Sequence, residues 1–387
     1  MRKWTLWTAL LMAILSLTGC SAGAETSDVW MYAVSAGKAD AILVSVGGST
    51  CLIDAGYARS RGKILAAMEK MGVERLEAVF VTHTDDDHVD GLEWLAQSGI
   101  EIGAWYASAM YTGVKSEDKH PAVQAAKLDG QTVNWLKAGD SVPLGDAVLE
   151  VLAPSVLNAE KDDNNSLVIM LRSAEGSILL AGDMEFEEEA VLLSTGAPLD
   201  CDVLKVGNHA DDDTGSEAFI RAASPRAAVI STDSVEKPET PDPRLMALLQ
   251  SVGAEVAVTQ ECTGGILVRL NGGVPSVERV NLPVSQTGVA VEDVVAGEDV
   301  VTLVNRGAEA QDLTGWYMVS DRGGELYVFP DGAALGPGAR LTIGTNSTAE
   351  SFDLLWDDKK VIHKSKTDTI TLYDANGMPV SAMDNGY

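Results

Sequence analysis

Between Val79 and Gly91 the chain reads Val-Phe-Val-Thr-His83-Thr-Asp85-Asp-Asp87-His88-Val-Asp-Gly. An apolar run from Leu76 to Thr82 enters a knot of two histidines and three consecutive acids, and an amphipathic run from Val89 to Ala96 follows. This order predicts a buried strand, a dense polar turn and a helix, the usual way an α/β protein presents side chains at a strand's carboxyl end. His-x-Asp-x-Asp-His packs four metal-binding side chains into one short turn, enough for imidazole and carboxylate on each of two divalent ions. An acid-rich turn alone would read as a solvated loop or a helix cap. Two of the chain's five histidines fall at this spacing, directly after a strand, and that points to metal binding.

At 387 residues the chain has room for two domains, each with its own core. Its formal net charge of −29 repels polyanions and argues against tight nonspecific DNA binding without bound cations. Residues 1–20 read as a leader: Arg2 and Lys3, then an apolar run from Trp4 to Leu17 that is short for a bilayer span. It ends in Leu17-Thr-Gly-Cys20, which resembles the bacterial lipobox. That resemblance implies a lipidated Cys20 and an extracytoplasmic protein anchored to the bacterial cell membrane as a lipoprotein. A plain secretory signal cut near Ala22 to Ala24 is the alternative. Cys51, Cys201 and Cys262 sit in or beside apolar runs and read as buried free thiols.

From Asp28 three strand-like runs, Val29–Val34, Ala41–Val46 and Thr50–Asp54, are separated by glycine turns and predict an antiparallel meander. Lys63 to Met71 has helical spacing. Strands and helices then alternate to about Leu270, which predicts one mixed α/β domain. Four segments carry a resemblance in order: Ala36-Gly-Lys-Ala-Asp40-Ala-Ile-Leu with Leu52-Ile-Asp54-Ala-Gly56; His83-x-Asp85-x-Asp87-His88; Asn165-Ser-Leu-Val-Ile-Met-Leu with Leu179-Leu-Ala-Gly-Asp183-Met-Glu; and Leu204-Lys-Val-Gly-Asn-His209-Ala. They resemble the metallo-β-lactamase superfamily, and within it the hydrolase domain of ComEC-type competence proteins. The resemblance implies an αββα sandwich over residues 28–275 with two divalent ions, zinc or manganese, at the mouth between its sheets.

Residues 276–290 lose periodicity and read as a linker. From Val291 to Tyr387 short strands alternate with Gly, Asp and Pro turns, predicting an all-β immunoglobulin-like sandwich. Asp312-Leu-Thr-Gly-Trp316, Tyr327-Val-Phe-Pro330, Leu335-Gly-Pro-Gly338, Leu354-Leu-Trp356 and Asp368 to Asp374 resemble the lamin-tail domain. Trp316 and Trp356 read as core residues ahead of a binding face.

By resemblance, His83 and Asp85 hold one ion, Asp87 and His88 hold the other, and Asp183 bridges, with Asp87 orienting the hydroxide that attacks. On the residues alone, Asp183 could equally cap the helix that follows it. The sequence departs from the superfamily pattern at three places. No histidine precedes Asp183 where the third motif expects one, and Asn165 stands near that place. His-His-Gly becomes Asn208-His209-Ala210, and His-Pro-His-Pro becomes Thr240-Pro-Asp242-Pro. Asn165, His209 or Asp242 is left to complete the shell. His120 and His363 match no motif and read as surface residues. Carboxylate in place of imidazole hardens the site toward manganese or magnesium without excluding zinc. A carboxylate-rich two-metal site suits phosphodiesters, nucleic acid among them. Two other readings stay open: a hydrolase of another ester or lactone, and a non-catalytic surface protein whose lamin-tail domain binds a partner.

Overall fold

The computed structural model describes residues 28–348, 351–358 and 360–387. The leader with Cys20 lies outside the described residues. The chain first lays down six strands of one sheet: β1 (Val29–Val34), β2 (Ile42–Val46), β3 (Ser49–Ile53), β4 (Ala78–Val81), β5 (Trp105–Ser108) and β6 (Val133–Leu136). It then builds a second sheet from β7 (Ser141–Leu144), β8 (Ala147–Ala153), β9 (Val168–Ser173), β10 (Gly176–Leu180), β11 (Val203–Lys205), β12 (Ala227–Ile230) and β13 (Glu255–Val258). It returns to the first sheet with β14 (Gly265–Asn271) and β15 (Val274–Val280). The strand orders are β15-β14-β1-β2-β3-β4-β5-β6 and β13-β12-β11-β10-β9-β8-β7. β3 to β6 run parallel, as do β10 to β13.

Period-two alternation sorts the side chains of each strand between two cores. Met31, Val44, Leu149, Ile169, Leu180 and Val229 meet between the sheets. Tyr32, Leu43, Val79 and Trp105 face outward under α1 (Arg61–Met71), α3 (Leu92–Gln97) and α4 (Pro121–Leu128). On the other side Met170, Leu179 and Ile230 lie under α5 (Phe186–Thr195), α6 (Glu217–Ala223) and α7 (Pro243–Ser251). Strands apolar on both faces follow from helices covering both outer surfaces. The result is the αββα sandwich.

Some local expectations change. The strand expected over Leu76 to Thr82 breaks at Glu77: Arg75–Leu76 pairs with Glu101–Ile102, and only β4 joins the main sheet. The helix after the knot is split into α2 (Asp86–Val89) and α3, where Gly91 N donates to Gly56 O at 2.8 Å and His88 O accepts from Ala55 N at 2.9 Å instead of bonding along the helix. Gly91 also packs against the Ala55 backbone with no room for a side chain. Residues 276–280, expected as linker, complete β15, an edge strand whose exposed alternate residues hide its period. His120, expected at the surface, is buried. Its Nδ1 accepts from Ala122 N at the start of α4, its ring contacts Tyr111 and Trp135, and burial lowers its pKa to about 4. Cys51, Cys201 and Cys262 are buried and free.

The tail contains a sheet of β16 (Val289–Val295), β17 (Val300–Asn305), β20 (Arg340–Thr345) and β21 (Leu354–Trp356) and a second of β19 (Leu326–Val328), β18 (Tyr317–Ser320), β22 (Thr369–Tyr373) and β23 (Pro379–Asp384). β16 starts inside the expected linker. Trp316 and Trp356 are buried in the core between these sheets, with Phe329, Leu303 and Ile370.

Candidate metal centre

The parallel strands end at one mouth, and their last residues feed it. β4 runs into Thr82 and His83. Thr82 is pinned by Asp54, at the end of β3: Thr82 N donates to Asp54 Oδ1 at 2.8 Å and its hydroxyl donates to Oδ2 at 2.7 Å. Asp54 Oδ2 also accepts from His88 Nδ1 at 2.8 Å. That bond fixes the ring and turns Nε2 into the mouth, the usual arrangement behind a metal-ligating histidine. Asp54 was visible only as part of a motif; its partner lies 34 residues away.

Asp183 follows β10 through Gly182 (φ +54), where a Cβ would lie 2.7 Å from Ser166 Cβ. Glu185, not Asp183, precedes α5, so Asp183 is not its cap. Asp85 likewise precedes α2 without a side-chain cap bond. His209 follows β11 on three successive left-handed residues, Asn208, His209 and Ala210, at φ 38°, 50° and 62°. Such backbone is costly and persists only where surroundings impose it. Here Asn208 Nδ2 donates to Asp213 Oδ1 at 3.0 Å, and Asp242 N donates to Ala210 O at 2.8 Å. His209 Nδ1 donates to Ser231 O at 2.7 Å, which turns its Nε2 inward as well.

Among the described residues three groups of donor atoms lie within 4.8 Å of one another, and two of them open on the mouth: Asp87, His88, Asp183 and His209, and then His83, Asp85 and Asp163. In the third, Asp40, Asp54 and His88, the carboxylates are already engaged by Lys205 and by Thr82 and His88 Nδ1. In the first of the two at the mouth, His209 Nε2 lies 3.2 Å from Asp87 Oδ2 and 3.1 Å from Asp183 Oδ2, and His88 Nε2 lies 3.3 Å from the same Asp183 oxygen. In the second, His83 Nε2 is 4.0 Å from Asp85 Oδ2 and 3.8 Å from Asp163 Oδ1. All six residues expected from sequence therefore come together. Asn165 does not: its amide is spent on Asn158 and Lys161 in its own loop. Asp242 does not either, since it caps α7 through Leu245 N at 3.0 Å. Asp163 is the residue that sequence reasoning missed. It stands two residues from Asn165 in a polar run with no motif to mark it.

The donor set fits divalent ions. His83, His88 and His209 Nε2 and Asp183 Oδ1 are buried with no hydrogen-bond partner. Buried polar atoms are rarely left so, and four of them divided between two adjoining groups fit a pair of cations. Burial alone would raise the pKa of Asp87 and Asp183, but the facing His88 and His209 hold both carboxyls well below the usual range. Burial would lower His209, yet Asp183 and Asp87 raise it to about 9. Asp163 is raised to about 6, by burial and then by the charge of Asp183. Behind the mouth, Lys205 and Asp40 form a buried pair at 2.7 Å.

The profile of the metallo-beta-lactamase superfamily matches residues 34–234, slightly more than half of the chain. The chain belongs to the metallo-beta-lactamase superfamily. A Lamin Tail Domain profile matches residues 283–385. Among superfamily relatives, the chain is 30% identical over 191 residues to ComE operon protein 3 of Bacillus subtilis, covering 49% of this chain and 24% of that protein. It is 25% identical over 251 residues to competence protein ComA of Neisseria gonorrhoeae, covering 64% and 33%. The likeness thus runs to the ComEC-like branch, while the chain spans a third or less of these relatives' length. A solved superfamily structure, the metallo-beta-lactamase fold protein YhfI of Bacillus subtilis, aligns at 13% identity and TM-score 0.41 over 62% of this chain and 98% of that one.

Proposed function

We propose that the protein is an exported, lipid-anchored hydrolase that holds two divalent ions and cleaves phosphodiesters, nucleic acid included. The observation that carries this is the pair of adjoining donor groups, with three imidazole Nε2 atoms and Asp183 Oδ1 among them buried and unpartnered. His83, Asp85 and Asp163 would hold one ion. Asp87, His88 and His209 would hold the second. Asp183 has one oxygen against His88 and His209 and its other oxygen unpartnered, and would bridge the two ions.

When bound, two such ions supply an acidified water and the positive charge that stabilises attacking and leaving oxygens. The chain's own residues supply the alignment. Asp54 and Ser231 O lock the two ring orientations. Asp87 stays ionised at neutral pH and can accept a hydrogen bond from the attacking water, orienting it. The sandwich walls keep His88 and His209 out of bulk solvent. Cys20 would tether the enzyme to the membrane, and the lamin-tail domain would meet a partner or surface there.

Purified mature protein loaded with manganese or zinc should cleave single-stranded DNA or a nitrophenyl phosphodiester. His88→Ala should lower that turnover by at least about 100-fold, since it removes a ligand and frees Asp54. Turnover no higher in the native chain than in this variant, with every metal tried, would reject the reading.

A further inference from the structure

Besides the seven donor side chains, a cation also reaches the centre. Lys38 Nζ lies 2.7 Å from Asp87 Oδ2, the oxygen that also faces His209 Nε2 at 3.2 Å. The charge of Asp183 reaches it too. Its side chain is 22% exposed, so it is open to solvent on one side and to the centre on the other.

The turn that carries Lys38 is built to hold it. Lys38 N donates to Glu236 Oε2 at 3.0 Å, and the other oxygen of Glu236 accepts from Arg59 Nη2 at 2.7 Å. Gly37 has φ +89, and a Cβ there would lie 2.6 Å from Glu236 Oε1. The carboxylate therefore fills the space that a side chain would need, and the backbone suits glycine. An ordinary surface lysine on a solvated loop has no such support.

Charge counting gives the group a task. The two donor groups contain four carboxylates, those of Asp85, Asp87, Asp163 and Asp183. Two dications would be cancelled by them, and Asp54, buried behind His88, adds a further negative charge, so the centre has no surplus positive charge for an anionic ester. The chain as a whole, at −29, repels one. Asp40 is already matched by Lys205. Lys38 supplies the missing local positive charge at the open side of the centre.

We propose that Lys38 selects an anionic ester, its ammonium binding a non-bridging oxygen of a phosphodiester that lies on the centre beside Asp87. This rests on the phosphodiester reading above and names the residue that would confer it. Lys38 forms and breaks no covalent bond; it is a substrate-binding group, and Glu236 is its positioning residue.

The test uses the full mature chain loaded with manganese, inorganic phosphate as the probe, and titration calorimetry. Lys38→Met keeps the stem and removes the charge, and Lys38→Arg keeps the charge. Phosphate affinity should fall roughly 10- to 100-fold in Lys38→Met and return to within about threefold in Lys38→Arg. Ion content by mass spectrometry should match the native protein in both. KM for a nitrophenyl phosphodiester should rise in Lys38→Met more than kcat falls. Equal phosphate affinity in Lys38→Met and native protein overturns the assignment. So does a loss accompanied by a lost ion, which would make Lys38 a support for Asp87. If native protein neither binds phosphate nor cleaves the diester, the functional reading falls together with Lys38. If native protein does both and Lys38→Met behaves identically, only the role of Lys38 falls.

Discussion

Asp163 stands beside His83 and Asp85, where the motifs leave a ligand position blank. Its Oδ1 lies 3.8 Å from His83 Nε2, and its pKa is raised to about 6, first by burial and then by the charge of Asp183. Asp163→Ala should therefore cost about one bound ion per chain, measured by elemental analysis after dialysis. Asn165→Ala should keep both ions and lose only on the order of 1 kcal/mol of loop stability. Equal ion content in the two variants would return Asp163 to the loop. Protons compete for the other group. His88 is raised well above its ordinary pKa and His209 to about 9, in each case by facing carboxylates that overcome burial. In the metal-free fold these raised values stabilise below the ordinary histidine pKa of about 6.5, and the gain is lost as pH rises through about 9. An ion must displace those protons. Its affinity should thus climb by up to about tenfold per pH unit per displaced proton between pH 7 and 9 and level off above, in titrations at three pH values. The knot His83 to His88 was readable because six adjacent residues carry it. Asp163 was not, because only the folded loop brings it there.

At the level of elements, the two sheets are joined behind the centre by the buried pair of Lys205 on β11 and Asp40, next to β2. Lys205 also donates to Val206 O at 2.9 Å. Lys205→Met would leave Asp40 buried with only the His209 ring, 3.9 Å away, to face it, and should destabilise the fold by about 3–5 kcal/mol. Adding Asp40→Asn should recover a large part of that loss. Urea unfolding of the single and double variants reads both, and equal midpoints for the two would mean that the pair does not act as a unit. The strands themselves were legible because apolar runs between glycine turns allow few other readings, and β1 to β3 pair as the meander their spacing predicts. A buried lysine inside Leu204-Lys-Val was not. Its partner is 165 residues away, and local alternation treats a lysine there as a solvent-facing residue. Edge strand β15 escaped for a related reason: with one side unpaired and alternate residues exposed, its pattern resembles a linker.

Across the whole molecule, the tail is seated on the metallo-beta-lactamase domain at the start of α1. The buried Tyr317 hydroxyl of β18 donates to Arg59 O at 2.7 Å and accepts from Gly62 N at 3.3 Å. Arg59 is the residue whose side chain holds Glu236, so the tail's contact and the turn carrying Lys38 share one support. Gly62 lies in the first turn of α1, and a Cβ on it would meet Gly377 of the tail, 2.6 Å from that residue's Cα. Local and global physics give opposite signs for Gly62→Ala. Helix propensity alone favours alanine by about 1 kcal/mol. The backbone of Gly377 cannot yield as a flexible side chain would, and overpacking of this kind costs about 1–3 kcal/mol. If the tail is firmly docked, the clash wins, the interface loosens, and protease should cut residues 281–288 roughly ten times faster while ion content stays the same. Should cleavage be unchanged and thermal stability rise, helix propensity would have prevailed, and the two domains would behave in solution as independent bodies joined by a strand-to-strand tether.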